Sequence, residues 1–200
     1  MSTQQVHDLA TSSVANLTTA QIASLTTDQI VGLVAAQLGA MGDKVTGLTA
    51  NQVSAIETAD LTGLTTTQVE ALSATQVKAL TTAQLEKLST AQFSAITASD
   101  LVSLNATQMK ALTTAQVSKM TTAQVAALTT DQVSKGLTTD QTVALTTDAI
   151  VALTTEQVAR GLTTSQVAAL TTNQVAAMET VDVAALTTAE IMALTTNQVA

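Results

Sequence analysis

The stretch LTTAQVSKMTTAQVAALTTDQVSK, residues 112–135, contains three copies of one eight-residue phrase, and nearly the whole chain consists of variants of this phrase. We number the positions of this octad 1 to 8: apolar, Thr, Thr, variable, Gln, apolar, variable and small. Followed outward in both directions, the phase begins at Met1 and divides the 200 residues into 25 octads. Such a short internal period predicts a repeat protein rather than ordinary globular domains.

Positions 2 and 5 of the octad predict the start of a helix. A Thr followed three residues later by Gln is typical of a capping box. Its hydroxyl accepts from the backbone N–H of the third helical residue, and the Gln side chain accepts from the N–H of the cap residue. In the quoted stretch Thr113 is the cap and Gln116 the third helical residue, while Leu112 and Val117 occupy the places of a hydrophobic staple. A fresh short helix is therefore predicted in every octad.

The charged residues agree with this interpretation, because carboxylates favour helix N-termini and basic groups favour helix C-termini. Most acidic side chains lie at positions 2, 4 and 5 of the octad. The basic side chains at positions 7 and 8 are Lys78, Lys87, Lys110, Lys119, Lys135 and Arg160.

We expect an all-α fold, a solenoid of very short capped helices that runs as a single array through residues 1–200. Helices this short are unstable alone, so neighbouring octads must stabilise one another, and the small residue at position 8 should let successive helices approach closely. A β-solenoid is the alternative, favoured by the Thr and Val content. Against it, positions 1 and 6 would lie on opposite faces of a strand, and seven Gly with no Pro provide few tight corners.

Three places depart from the octad. Residues 33–47 hold three Gly and one shortened unit, and we expect an irregular kink there. Two later octads gain one residue each, as Gly136 after Lys135 and Gly161 after Arg160. A base followed by Gly and Leu predicts a helix end with the Gly in the left-handed conformation.

Composition limits the possible functions. The net charge of −8 and the isoelectric point near 4.3 argue against electrostatic binding to nucleic acid or anionic membranes. The absence of Cys excludes disulfides and thiolate metal sites. No apolar run approaches the roughly 18 residues that a membrane span needs. Residues 1–8 already fit the octad and show no secretory signal.

No residue carries a recognisable catalytic, cofactor-binding or metal-binding pattern. His7 is the sole histidine and has no second nitrogen or thiolate ligand to join it. We therefore expect a structural protein that is not an enzyme and uses no cofactor. The alternative is a binding module, in which position 3 residues such as Thr114 form a regular hydroxyl array for ice or a polysaccharide.

Phrases such as TTAQVAALTTDQV, residues 121–133, resemble the low-complexity arrays within large secreted or cell-surface bacterial proteins, including adhesin-like ones. The resemblance implies a stalk, spacer or scaffold outside the cell. We expect its partners to be further copies of the chain, end to end or side by side in a filament, or a larger parent chain.

Overall fold

A computed structural model describes residues 1–199, where every octad contains one short helical element and no strand occurs. The all-α fold class is therefore confirmed, and the β-solenoid alternative is wrong. The extended conformation that Thr favours is used at single cap residues, such as Thr113 at φ −74° and ψ 154°, after which the chain turns helical at once. No helix among the described residues is both long and apolar enough to cross a membrane.

Residues Met1–Ser103 form one compact unit, and the chain from Leu104 onward forms a second. The prediction of one array over residues 1–200 stays a prediction. The first unit contains α1 Thr3–His7, α2 Thr11–Ala15, α3 Thr19–Ala23, α4 Thr27–Val31, α5 Ala35–Ala40, a 3-10 helix Gly42–Gly47, α6 Ala50–Ala55, a 3-10 helix Asp60–Gly63, α7 Thr66–Glu70, α8 Ala74–Ala79, α9 Thr82–Lys87, α10 Thr90–Ser94 and α11 Ala98–Leu101.

The second unit is built in the same way. It contains α12 Ala106–Lys110, α13 Thr114–Val117, α14 Thr122–Ala127, a π-helical turn Gln132–Gly136, α15 Thr139–Ala144, α16 Thr147–Val151, α17 Thr155–Gly161, α18 Thr164–Ala169, α19 Thr172–Ala177, α20 Thr180–Ala185, α21 Thr188–Ala193 and α22 Thr196–Val199.

Within each unit, a helical element packs against the element three octads further along the chain. In the first unit α1 contacts α4 and α2 contacts α5, and in the second α15 contacts α18 and α18 contacts α21. The small residue at position 8 serves this packing. A methyl group at Gly32 would lie 2.5 Å from the Thr3 carbonyl oxygen, and one at Gly63 would overlap the Ala35 carbonyl. The close approach is thus with the helix three octads away, not with the next helix as we predicted.

The core is formed by positions 1 and 6. Val125 at position 6 and Leu128 at position 1 of the following octad are both buried, and Phe93 occupies position 6 as a larger core residue. Because one helix is too short to bury an apolar face by itself, this burial comes from elements that are distant in sequence.

Residues 33–47, where we expected an irregular kink, are mostly helical. The shortened octad forms the 3-10 helix Gly42–Gly47, which contacts both α3 and α7 and so keeps the three-octad packing. A 3-10 helix rises further per residue than an α-helix, so fewer residues cover the same length. Gly42, at φ 57°, begins this tighter segment.

The predicted left-handed endings at Gly136 and Gly161 are wrong, because among residues 1–199 only Gly42 has a positive φ. Instead the helix widens by one residue. The Leu137 N–H donates to Gln132 O at 3.0 Å and Leu162 N–H to Gln157 O at 2.9 Å, both five residues back. The regular octad closes three residues back, as from Leu128 N–H to Val125 O. The extra residue is thus absorbed before the next buried Leu.

The glutamine clamp as candidate functional site

The octad that contains α17 shows how the helix start is built. Thr154, the residue before the helix, is extended at φ −76° and ψ 153°, which turns its hydroxyl toward the first turn. Thr154 Oγ1 accepts from the Gln157 N–H at 3.2 Å, and Gln157 Oε1 accepts from the Thr154 N–H at 2.6 Å. These two bonds satisfy backbone donors that have no partner inside the helix.

The same Gln side chain also reaches a distant helix end. Gln157 Nε2 donates to Val125 O at 2.9 Å and to Leu128 O at 2.6 Å, at the end of α14. Val125 O already accepts from the Leu128 N–H, so the amide occupies its second lone pair. Gln157 is only 2% exposed. One buried amide therefore joins the start of one helix to the end of the helix four octads earlier.

We call this arrangement the glutamine clamp: a position 5 Gln whose Oε1 accepts from the cap N–H and whose Nε2 donates to position 6 four octads earlier and to the helix end that follows it. The clamp recurs in both units. The residues that form it with at least two carbonyl acceptors include Gln37, Gln52, Gln68, Gln76, Gln84, Gln92, Gln141, Gln157, Gln166, Gln174 and Gln198.

The clamp requires a neutral amide. A buried carbonyl that loses its donor, or a buried N–H that loses its acceptor, costs about 1–3 kcal/mol, whereas a satisfied bond contributes about 1 kcal/mol. Gln provides an acceptor and two N–H donors in one side chain, and an ionised Glu provides acceptors alone. This explains why position 5 holds Gln in 18 octads and Glu in one.

Three octads of the second unit lack the amide. Position 5 is Ala149 in α16, Asp182 in α20 and Glu190 in α21, and all three side chains are buried. Glu190 Oε2 still accepts from the Thr187 N–H at 2.7 Å. Asp182 Oδ1 is buried and accepts no hydrogen bond from any residue that the structure describes.

From the sequence we predicted no catalytic, cofactor-binding or metal-binding residue, and we gave His7 no role. His7 lies at the exposed end of α1, with Nδ1 3.3 Å from Asp8 Oδ1. Within residues 1–199 no three His, Cys, Asp or Glu side chains are close enough to hold a metal ion. A shallow cleft of about 150 Å³ lies where Gly42 and Asp43 face Thr65 and Gln68. Gln68 forms a glutamine clamp there, and its Nε2 group donates to Gly42 O at 3.1 Å.

The position 3 Thr residues are largely exposed, but some of their hydroxyls bond to the chain itself. Thr3 Oγ1 donates to Asp28 O at 3.1 Å, and Thr172 Oγ1 donates to Asn197 O at 3.3 Å. Both bonds join a helix start to the helix three octads later. At these two places the hydroxyl supports packing, which weakens the alternative of a Thr surface devoted to ice or a polysaccharide.

The bonds of the clamp that lie within one octad were predicted from the sequence, and the bonds that join octads were not. The preference for Gln over Glu was the available signal. Either residue completes a capping box, so a near-exclusive choice of the amide indicates that its N–H groups are needed. The sequence could not show that the acceptors lie 28–32 residues away, as they do for Gln84 and Gln157.

A family described as ALTTAQ repeat matches residues 53–90, 104–135 and 175–200, together just under half of the chain. No curated protein matches the chain. The matched stretches lie in both units and contain clamps such as those of Gln76 and Gln84. The chain is therefore a repeat protein with three stretches that match the ALTTAQ repeat.

Proposed function

We propose that the chain is a non-enzymatic structural repeat protein, a spacer, stalk or scaffold whose length is set by its number of octads. The clamp is the observation that supports this role. An octad with Gln at position 5 supplies an amide for carbonyls four octads earlier, and its own helix end supplies carbonyls for an amide four octads later, as Gln157 and Val125 illustrate. Octads can therefore be added or removed in a lineage without any new kind of contact.

We also propose that the chain acts outside the cell or on its surface, as part of a larger protein. The support is the resemblance of its repeated phrase to the arrays of secreted and adhesin-like bacterial proteins. Protease treatment of intact source cells provides the measurement. Degradation of the chain without loss of a cytoplasmic marker is the expected result, and protection until the cells are lysed would contradict it.

The spacer role predicts that whole octads are removable. Deletion of residues 72–103 removes four octads and joins Ala71 to Leu104 in phase. We expect this variant to remain helical by circular dichroism, to unfold cooperatively, and to show a smaller maximum dimension in small-angle X-ray scattering. The matched control deletes residues 72–99, three and a half octads, which breaks the phase and misplaces every later amide relative to its carbonyls.

The two deletions must behave differently. The control variant should lose helical signal or unfold at a clearly lower temperature, because its amides and core positions no longer meet their partners. Equal stability of the two variants, or an in-phase variant with an unchanged maximum dimension, would exclude a role in which octads add up to length.

A further inference from the structure

The helix α16, Thr147–Val151, takes part in no glutamine clamp among the described residues. Its own position 5 residue is Ala149, which is buried at 1% exposure. By the octad count, the residue at this place would donate to the carbonyls of Val117 and Met120, and a methyl group has no N–H to donate. The packing of α16 on the earlier turn therefore lacks the hydrogen bonds of a clamp.

The packing of α16 against the later turn lacks a clamp as well. By the same count, the residue that would donate to Ile150 O and Leu153 O is Asp182 in α20. Asp182 is 3% exposed, and its Oδ1 is buried without a hydrogen bond to any residue that the structure describes. An ionised carboxylate has acceptors alone, so it cannot bind these carbonyls. Described octads precede and follow every residue involved, so both gaps lie within the array.

The helices on either side of α16 do form clamps. In α15, Gln141 Nε2 donates to Leu112 O at 2.6 Å, and Leu145 O after the helix accepts from Gln174 Nε2 at 2.7 Å. The next helix, α17, holds Gln157 with its two distant acceptors. Amides therefore join α15 to both adjacent turns and α17 to the earlier one, while α16 between them is held by apolar packing alone.

α15 and α16 have opposite defects, which separates the effect of the clamp from that of the core. Position 6 is Thr142 in α15 and Ile150 in α16, and both side chains are buried. Thr142 Oγ1 donates to Thr138 O at 2.9 Å, but a threonine buries less apolar surface than an isoleucine. If apolar burial governs local stability, α15 should open before α16. If the clamps govern it, α16 should open first.

We propose that α16 is the release point of the second unit, the helix that detaches first while the helices on either side stay folded. This proposal rests on the proposed spacer role and adds a mechanical property to it, because a stalk under tension would lengthen at α16 before it unfolds elsewhere. A clamp supplies two hydrogen bonds between turns, and each satisfied bond changes an opening equilibrium about fivefold. The two missing clamps outweigh the better core of α16.

Native-state hydrogen exchange provides the first test. The N–H groups of Ile150 and Leu153 are hydrogen-bonded in the same way as those of Leu145 after α15 and Val158 in α17. We expect the two amides of α16 to exchange at least about tenfold faster than the other two, because exchange follows local opening. The comparison of α16 with α15 is decisive, since apolar burial predicts the reverse order.

A variant that restores both amides tests the cause. Ala149→Gln with Asp182→Gln should slow exchange in α16 to the rate in α17 or below it. The matched control, Asp148→Gln with Val181→Gln, places the same side chains at exposed position 4 of the same two octads. Its exchange in α16 should stay within about threefold of that of the natural chain, because these side chains reach no carbonyl of another turn.

Circular dichroism must show that each variant is folded. If the larger side chain at the buried Ala149 prevents folding, Asp182→Gln alone provides the test, because its acceptors would be the carbonyls of α16 itself. This single variant should slow exchange in α16 about tenfold, since it adds one clamp.

Single-molecule stretching tests the mechanical consequence. Held by its two ends, the natural chain should show a first extension at a lower force than its main unfolding. This extension should not exceed about 30 Å, the fully extended length of residues 145–153. The variant with both amides restored should lose the early extension, and the control variant should keep it.

Exchange in α16 that is no faster than in α15, a restored variant that exchanges like its control, or a natural chain without the early extension would each overturn the proposal. None of these results affects the spacer role, which the deletion of residues 72–103 tests in the first unit. If that deletion prevents folding while α16 still opens first, the spacer role is wrong and the release point stands.

Discussion

Two stretches of the second unit, residues 154–170 and 178–193, are built on the same octad and differ at position 5. The first holds Gln157 and Gln166, and each closes a cap and reaches two distant carbonyls. The second holds Asp182 and Glu190, which are as buried as the glutamines. The packing of the helices therefore buries position 5 whatever residue stands there, and the residue type decides whether the buried groups are satisfied.

The second stretch separates two requirements of the clamp. Glu190 is long enough to reach the cap, as its bond to the Thr187 N–H shows, but when ionised it has no N–H to donate. Asp182 is one methylene shorter, and its helix has no side-chain cap bond at all. Length thus provides the bond within the octad, and the amide provides the bonds between octads.

The largest effect on stability is expected when a position 5 glutamine of the first stretch is replaced by glutamate, which the second stretch holds at Glu190. Gln157→Glu keeps the acceptor for the Thr154 N–H but places a carboxylate against Val125 O and Leu128 O in a buried site. We expect a loss of about 3 kcal/mol in the free energy of unfolding, because two acceptors lose their donor and a charge is buried without a partner. Chemical denaturation measures the loss, and hydrogen exchange at α14 and α17 locates it.

The same substitution at Gln21 is the control. Gln21 is exposed, closes the same kind of cap, and donates to no carbonyl in the described residues, while an acid near a helix N-terminus is mildly favourable. Its free energy of unfolding should change by less than about 0.5 kcal/mol. Equal losses at the two positions would show that capping alone, and not the link between octads, governs position 5.

The sequence was sufficient to predict what happens inside one octad. Thr113 and Gln116 fix where a helix begins, and the spacing of Leu112 and Val117 fixes which face is apolar, because these interactions span a few residues. The family match supports the repeat reading of the same residues. The all-α fold followed from these local rules.

The packing partner could not be predicted, because it depends on how far the chain advances per octad. That Gly63 packs against Ala35 and that Gln157 reaches Val125 are consequences of three-octad packing, which no local rule specifies. The predictions made for two glycines were wrong for the same reason. Gly136 and Gly161 looked like helix ends, yet a methyl group at either would crowd Met109 or Val133 at 2.9 Å and 3.1 Å. A contact with a distant part of the chain requires the small residue at each position.

The converse substitution should strengthen the second stretch. Asp182→Gln lengthens the side chain and adds an amide at a place where Oδ1 is buried without a donor. By the octad count, its acceptors would be the carbonyls of Ile150 and Leu153. We expect a gain of about 2 kcal/mol in the free energy of unfolding, from relief of a buried unsatisfied oxygen and from new bonds. Asp148→Gln, at an exposed position 4, is the control and should change stability little.

A smaller gain is expected at Glu190, because its cap bond already exists. Glu190→Gln keeps that bond and adds the N–H groups that could donate to Val158 O and Leu162 O. We expect about 1 kcal/mol, measured by denaturation and by slower hydrogen exchange in α17 and α21. If Asp182→Gln stabilises the chain and Glu190→Gln does not, the length of the side chain at position 5 matters more than its amide.

The smallest effect tests the cap by itself. Glu179 stands at the cap position of α20 in an extended conformation, at ψ 149°, but forms no side-chain cap bond. Glu179→Thr supplies a hydroxyl for the Asp182 N–H and removes a charge that the helix start favours, so the net gain should be about 0.5 kcal/mol. In the Asp182→Gln background, Glu179→Thr should raise the free energy of unfolding by more than it does alone. The introduced glutamine then also accepts from the backbone N–H of the cap residue. Strict additivity of the two substitutions would show that the bond within the octad and the bonds between octads are independent, and that the clamp is two contacts sharing one side chain.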